Sequence, residues 1–169
     1  MSFKIFLNLI VVSLLISCGN LNQPMFLPSQ NAAAALGGSN LDFSGQDLRG
    51  KDFRNQSLPN ANFTGANLSY ADFTYANLKG SNFTGAALTG TRFTGAKIQN
   101  GIFIKATGAA TNLNQADLTG STWTKATIEQ PNFFQAVLTG AILKEAEFER
   151  AIFNSAVLNG ADFTGADLS

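Results

Sequence analysis

Few residues of this chain have the capacity for chemistry, and their spacing does not bring them together. The 169 residues include no histidine, so the usual general base and the commonest metal ligand are both missing. The single cysteine, Cys18, excludes an intrachain disulfide. Glu145, Glu147 and Glu149 alternate around Phe148 and would form a carboxylate site if they converged. Lys144 and Arg150 flank them, so the stretch reads instead as a solvated, self-compensated corner. No metal-ligand spacing, nucleotide loop or nucleophile elbow occurs. The chain is therefore expected to be no enzyme, with no catalytic residue, cofactor or metal.

Three segments carry these residues. Residues 1–17 place Lys4 before an apolar run, Ile5 to Ile16. A membrane span needs about 20 apolar residues, so this shorter run fits an export signal. It ends in Leu15-Ile16-Ser17-Cys18, which resembles a bacterial lipobox. The resemblance implies cleavage before Cys18 and attachment of lipid, palmitate included, to that residue. The protein would then sit on the cell membrane or outer membrane, facing the periplasm or the exterior. Gly19 rather than Asp follows the cysteine, which in a Gram-negative cell implies the outer membrane. The alternative is an ordinary signal peptide with a chance cysteine. Residues 18–40 read as a tether, with two prolines in "GNLNQPMFLPSQ" and no apolar period. Within "NAAAALGG", Ala32 to Leu36 would form a turn or two of helix stopped by Gly37, short enough to need packing on the end of a domain as a cap.

From Leu41 to Ser169 the sequence has a period of five. Of 26 centres from Phe43 to Leu168, Phe fills eleven, Leu eleven, Ile two and Trp one; Gly108 is the exception. Two places before each centre Ala recurs sixteen times. Neither a helix nor a flat strand has this period, and unbroken self-similarity marks a repeat architecture. Ala66-Asn67-Leu68, Ala71-Asp72-Phe73, Ala116-Asp117-Leu118 and Ala161-Asp162-Phe163 resemble the A(D/N)Lxx motif of the pentapeptide-repeat family. That resemblance implies an all-β fold, a right-handed quadrilateral parallel β-helix with four pentapeptides per coil. Centres would point inward, the small residue would pack at the corner, and the other three would face water. At a coil spacing of ~4.8 Å, 26 units make about six and a half coils and a rod roughly 30 Å long.

Folding the numbering by twenty gives four faces. Faces one and three stack mostly Phe (Phe63 over Phe43, Phe73 over Phe53), and faces two and four mostly aliphatic residues (Leu68 over Leu48, Leu78 over Leu58). Such a filled core leaves no ligand cavity. Gly108 would be either a local bulge or packing defect, partly filled by Ile128, or a notch admitting a partner.

The outward positions suggest where a partner binds. Through Lys97 the residue before each centre is nearly always polar; later it includes Ile152, Val137 and Val157. With Phe134, at the edge shared by faces three and four, these form a candidate partner surface. The bland alternative is that β-branched residues simply suit strand-like walls. Tyr70 and Tyr75, at neighbouring corners, are weaker candidates. On face one, Asn62/Thr64, Asn82/Thr84 and Thr122/Thr124 make an array of the kind that binds ice, but Ile102/Ile104 and Ile142/Lys144 interrupt it.

The expected function is thus a rigid protein-protein interaction or structural module, lipid-anchored in the envelope, with an unidentified protein partner. One alternative implied by the family resemblance is an acidic rod that mimics DNA and binds DNA gyrase. An export signal and a balance of 11 basic against 11 acidic residues weigh against it and against any nucleic-acid partner. An ice-binding or surface-binding solenoid is a further alternative. A homodimer through the C-terminal coil is also expected, because Phe153, Leu158, Phe163 and Leu168 would leave one flank of their stack open. Asp162, Asp167 and the carboxylate of Ser169 would otherwise keep a frayed end soluble.

Overall fold

The computed structural model describes residues 41–169. The export signal, Cys18, the tether and the short cap lie outside the described residues.

Each pentapeptide makes one side of a square, and the chain returns to the same side after twenty residues. Parallel bridges record this register along the whole rod, from Asp42↔Asn62 to Glu147↔Asp167. The fold is a right-handed quadrilateral parallel β-helix. Coils are numbered here from Leu41, so coil two begins at Ala61 and coil six at Ala141. Among the described residues, only two three-residue stretches pair as strands, β1 (Thr107–Ala109) and β2 (Thr127–Glu129). Elsewhere the wall is too short between corners for more than one bridge per side.

The square shape has a backbone cause. Two places after every centre from Phe43 to Phe163, the corner residue adopts a left-handed φ of +53° to +71°, whether it is glycine or not. Asn55, Tyr70 and Lys105 do so as Gly65 and Gly85 do. The N–H of the next residue then donates back to the carbonyl of the centre, as Ala66 does to Phe63 at 3.0 Å. A non-glycine residue in this conformation costs about 1–2 kcal/mol. The ladder of bonds to the neighbouring coils offsets that strain: the Phe63 N–H reaches Asn82 O at 2.7 Å, and the Asn62 N–H reaches Leu41 O at 2.8 Å.

Inside, the centres from Phe43 to Phe148 are buried except Gly108. Rings on one face stack along the axis: Phe63 on Phe83 at 5.0 Å, Phe83 on Phe103 at 4.7 Å. Across the core, rings of faces one and three meet edge to face, as Phe63 and Phe73 do at 82°. Both arrangements suit the charge distribution of an aromatic ring. Where the small residue is Ser or Thr, its buried hydroxyl is paired. Thr91 Oγ1 donates to Leu68 O at 2.8 Å, and Ser121 Oγ accepts from Trp123 Nε1 at 2.9 Å.

Candidate functional site

The outward residues do more than face water. The Asp or Asn before a centre reaches across it and accepts a bond from the backbone N–H just beyond. Ser44 donates to Asp42 Oδ1 at 3.0 Å, and Thr84 to Asn82 Oδ1 at 2.9 Å. Where Thr or Ser follows the centre, its hydroxyl donates to the same oxygen, as in Thr84 to Asn82 at 2.6 Å. This local turn explains why the motif prefers Asp or Asn there. It also draws several carboxyls below their ordinary range. The Thr164 hydroxyl and amide, then the Lys144 ammonium, hold Asp162 at about 2. The side chain of Arg49 lowers Asp47, and that of Arg54 lowers Asp52.

The carboxylate run at 145–149 is dispersed and paired, as its flanking charges suggest. Lys125 sits 3.4 Å from Glu145, and Arg150 bridges Glu129 at 2.7 Å and Glu149 at 3.0 Å. All five are exposed, so these pairs are worth about 0–1 kcal/mol each. A shallow concavity of about 200 Å³ opens beside them, lined by Thr127, Ile128, Glu129, Glu147, Glu149, Asp167 and Ser169.

Gly108 stands where a side chain would meet backbone. A Cβ built there would stand 2.8 Å from Thr89 N and 2.9 Å from Leu88 C, both backbone atoms of the preceding coil. The backbone at Gly108 lies so close to the coil before it that no side chain fits there. Pro131 accounts for a like change one coil on. Proline has no N–H, so the bond that closes other corners cannot form from residue 131 to Ile128 O. In the coil beneath, Thr111 likewise makes no such bond to Gly108 among the described residues. Both corners run on as β1 and β2 instead.

The residues of the candidate partner surface separate into two groups. Phe134, Val137, Ile152 and Val157 lie together around the edge of faces three and four, in coils five and six. Phe134, Ile152 and Val157 are 39%, 42% and 40% exposed; Val137 is half-buried and bridges directly to Val157. Tyr70 and Tyr75 stand in coil two, roughly 14 Å away along the axis. They are the most exposed large apolar residues described, at 68% and 62%.

The family described as pentapeptide repeats matches this chain in 8 copies, over residues 39–74, 47–85, 66–103, 86–122 and 132–169. The chain belongs to the pentapeptide-repeat family. Solved structures of other pentapeptide-repeat proteins are similar to it. Rfr23 from the cyanobacterium Cyanothece 51142 is 19% identical, over 76% of this chain and 91% of its own, with a TM-score of 0.38. QnrB1, a plasmid-mediated fluoroquinolone resistance protein, is 16% identical, over 78% and 83%, with a TM-score of 0.48. A pentapeptide-repeat protein of the Arabidopsis thaliana thylakoid lumen is 28% identical, over 73% and 66%, with a TM-score of 0.36. No curated protein matches. Among the described residues of this pentapeptide-repeat protein, no helix is long and apolar enough to cross a membrane.

Proposed function

We propose that this pentapeptide-repeat protein is a non-enzymatic, lipid-anchored envelope protein whose rod presents a rigid surface to a protein partner. The observation that carries the interaction role is the division of labour in the rod. The interior is filled by stacked centres, and three of the exposed apolar residues, Phe134, Ile152 and Val157, stand with half-buried Val137 on faces three and four of neighbouring coils. A stiff wall loses little freedom on binding, so such a surface needs few contacts. Support for the anchor comes from Leu15-Ile16-Ser17-Cys18 after the short apolar run. Two or more acyl chains on Cys18 would hold the protein stably on a membrane where one would not.

Two measurements test this. Cells fed a palmitate analogue should label the wild-type protein and not Cys18→Ala; equal labelling of both removes the anchor. Crosslinking in envelope fractions with photoreactive residues at 134 and 157 should trap protein on that edge. Trapping no more than a residue placed at Thr84 does would remove the partner surface.

A further inference from the structure

The C-terminal coils are amphipathic around their axis. All nine charged residues after Asp117 belong to pentapeptides of faces one and two, from Lys125 to Asp167. Faces three and four of coils five and six, residues 131–140 and 151–160, carry no charge at all. Charge depletion around an apolar centre is the composition of an interface core. The apolar residues here also displace something useful. At positions 137, 152 and 157, Val or Ile stands where Asn132 or Asp162 accepts the local bond from the next N–H. An exposed wall that forgoes those bonds for apolar side chains gains from them only when it is covered.

We propose that this uncharged flank is covered by a second copy of the same chain, side by side, about a twofold axis. Its polar side chains are Asn132, Gln135, Thr139, Asn154, Ser155 and Asn159, all uncharged. Amides and hydroxyls donate and accept alike, so these side chains can satisfy their own copy without charged partners, as an isologous contact requires. A charged partner would leave its own charges unpaired against this wall. Two flat β walls also pack face to face at about 10 Å without rearrangement. Side-by-side contact keeps the acidic faces of the two copies apart. End-on stacking would bring Glu147, Asp162 and Asp167 of both copies toward one another, which repulsion opposes.

The flank is small. Two walls over two coils present on the order of 200 Å², against about 800 Å² per partner in a stable interface. The pair is therefore weak in free solution and forms when both copies are confined to one membrane, where effective concentration is high. In that respect the inference rests on the Cys18 anchor.

The test is cysteine crosslinking of the full chain in its native membranes, with a mild oxidant. Phe134→Cys, Val137→Cys, Ile152→Cys and Val157→Cys are each compared with Thr84→Cys on face one and with Leu168→Cys at the rod end. At least two flank positions should give dimer at tenfold or more the Thr84→Cys level. Adding Phe134→Asp to Val157→Cys should abolish its crosslink, while the circular dichroism of the purified chain stays unchanged. No crosslink from any flank position, crosslinking through Leu168→Cys in its place, or flank cysteines shielded from a water-soluble maleimide without dimer would each overturn the proposal, the last in favour of lipid. The wild-type chain reports separately on the anchor. An acylated Cys18 has no free thiol and gives no dimer, whereas wild-type dimer means that the anchor is absent. In that event the flank contact is read from the excess over wild type.

Discussion

The ring of Tyr70 lies across Gly90, the corner residue one coil further on. Its Cδ1 and Cε1 atoms stand 2.6 and 2.7 Å from where a Cβ of Gly90 would be. Tyr75 covers Gly95 in the same way, and Asn60 and Asn100 cover Gly80 and Gly120. At these four corners a long side chain is thus matched by a glycine above it. The glycine serves two ends: it accepts the left-handed φ, and it leaves room for the neighbour.

Gly90→Ala should therefore destabilise the rod more than Gly85→Ala. Both positions have nearly the same φ, +64° and +66°, but Gly85 has nothing within 4 Å of its Cβ site. Strain alone costs each about 1–2 kcal/mol. The ring contact should add a coupling of about 0.5 kcal/mol or more. In a Tyr70→Ala background that excess should vanish in chemical denaturation. An excess that persists there would mean that the ring does not rest on the glycine.

Phe83 is fully buried between Phe63 and Phe103. Phe83→Ala should cost about 3–5 kcal/mol, as large cavities in a core do. Thr84→Ala, one residue on, gives up a single hydroxyl bond to Asn82 and should cost no more than about 1 kcal/mol. Urea midpoints that moved equally for the two variants would contradict the inward placement of every fifth residue.

The period of five made the coil, the four faces and the stacked rings legible before any coordinates, because an inward bulky residue must recur with the geometry that buries it. Leu158 and Leu168, in the last coils described, are exposed although they stand at centre positions. What the period did not convey was the role of residues between centres. Asp42 and Asn82 look like generic polar surface until their bond to the N–H two residues on is seen. Gly108 looks like a missing centre, since a ladder of side chains is counted by volume and says nothing of how near the next coil's backbone stands. Pro131 held the clue: a residue without an N–H at the place where most repeats donate one. The uncharged flank was also readable in residues 131–140 and 151–160, but only once the two stretches were known to lie one above the other.

Acid should loosen the rod in a defined window. Asp42, Asp47, Asp52, Asp162 and Asp167 all have folded values below their ordinary ones, chiefly through hydrogen bonds from the residue two places on. A depressed folded value means that the stabilisation is present above the unfolded value of about 3.9 and is lost as pH falls through the folded one. Thermal midpoints should therefore be flat from about pH 7 to 5 and decline from about pH 4 toward 2. Asp162→Asn keeps an acceptor for Thr164 without the titration, so its decline should be shallower. A midpoint unchanged down to pH 2 would show that these bonds contribute nothing to stability.

Gly108→Leu restores the repeat pattern and separates two accounts of the core. If Gly108 left a gap in the aliphatic ladder between Leu88 and Ile128, leucine would fill it and stabilise the rod. The backbone of Leu88 and Thr89 already stands within 3 Å of the Cβ site, and backbone cannot swing aside as a side chain can. Leucine should therefore force β1 outward, break its pairing with β2 and cost at least the 1–3 kcal/mol typical of overpacking. Gly108→Ala should already be harmful, with a loss above that of Gly140→Ala, whose Cβ site is open and whose penalty is the φ of +65° alone. Denaturation of the three variants gives the order: Gly140→Ala mildest, Gly108→Ala worse, Gly108→Leu worst. A Gly108→Leu variant more stable than the wild type would restore the gap and show that the neighbouring backbone yields.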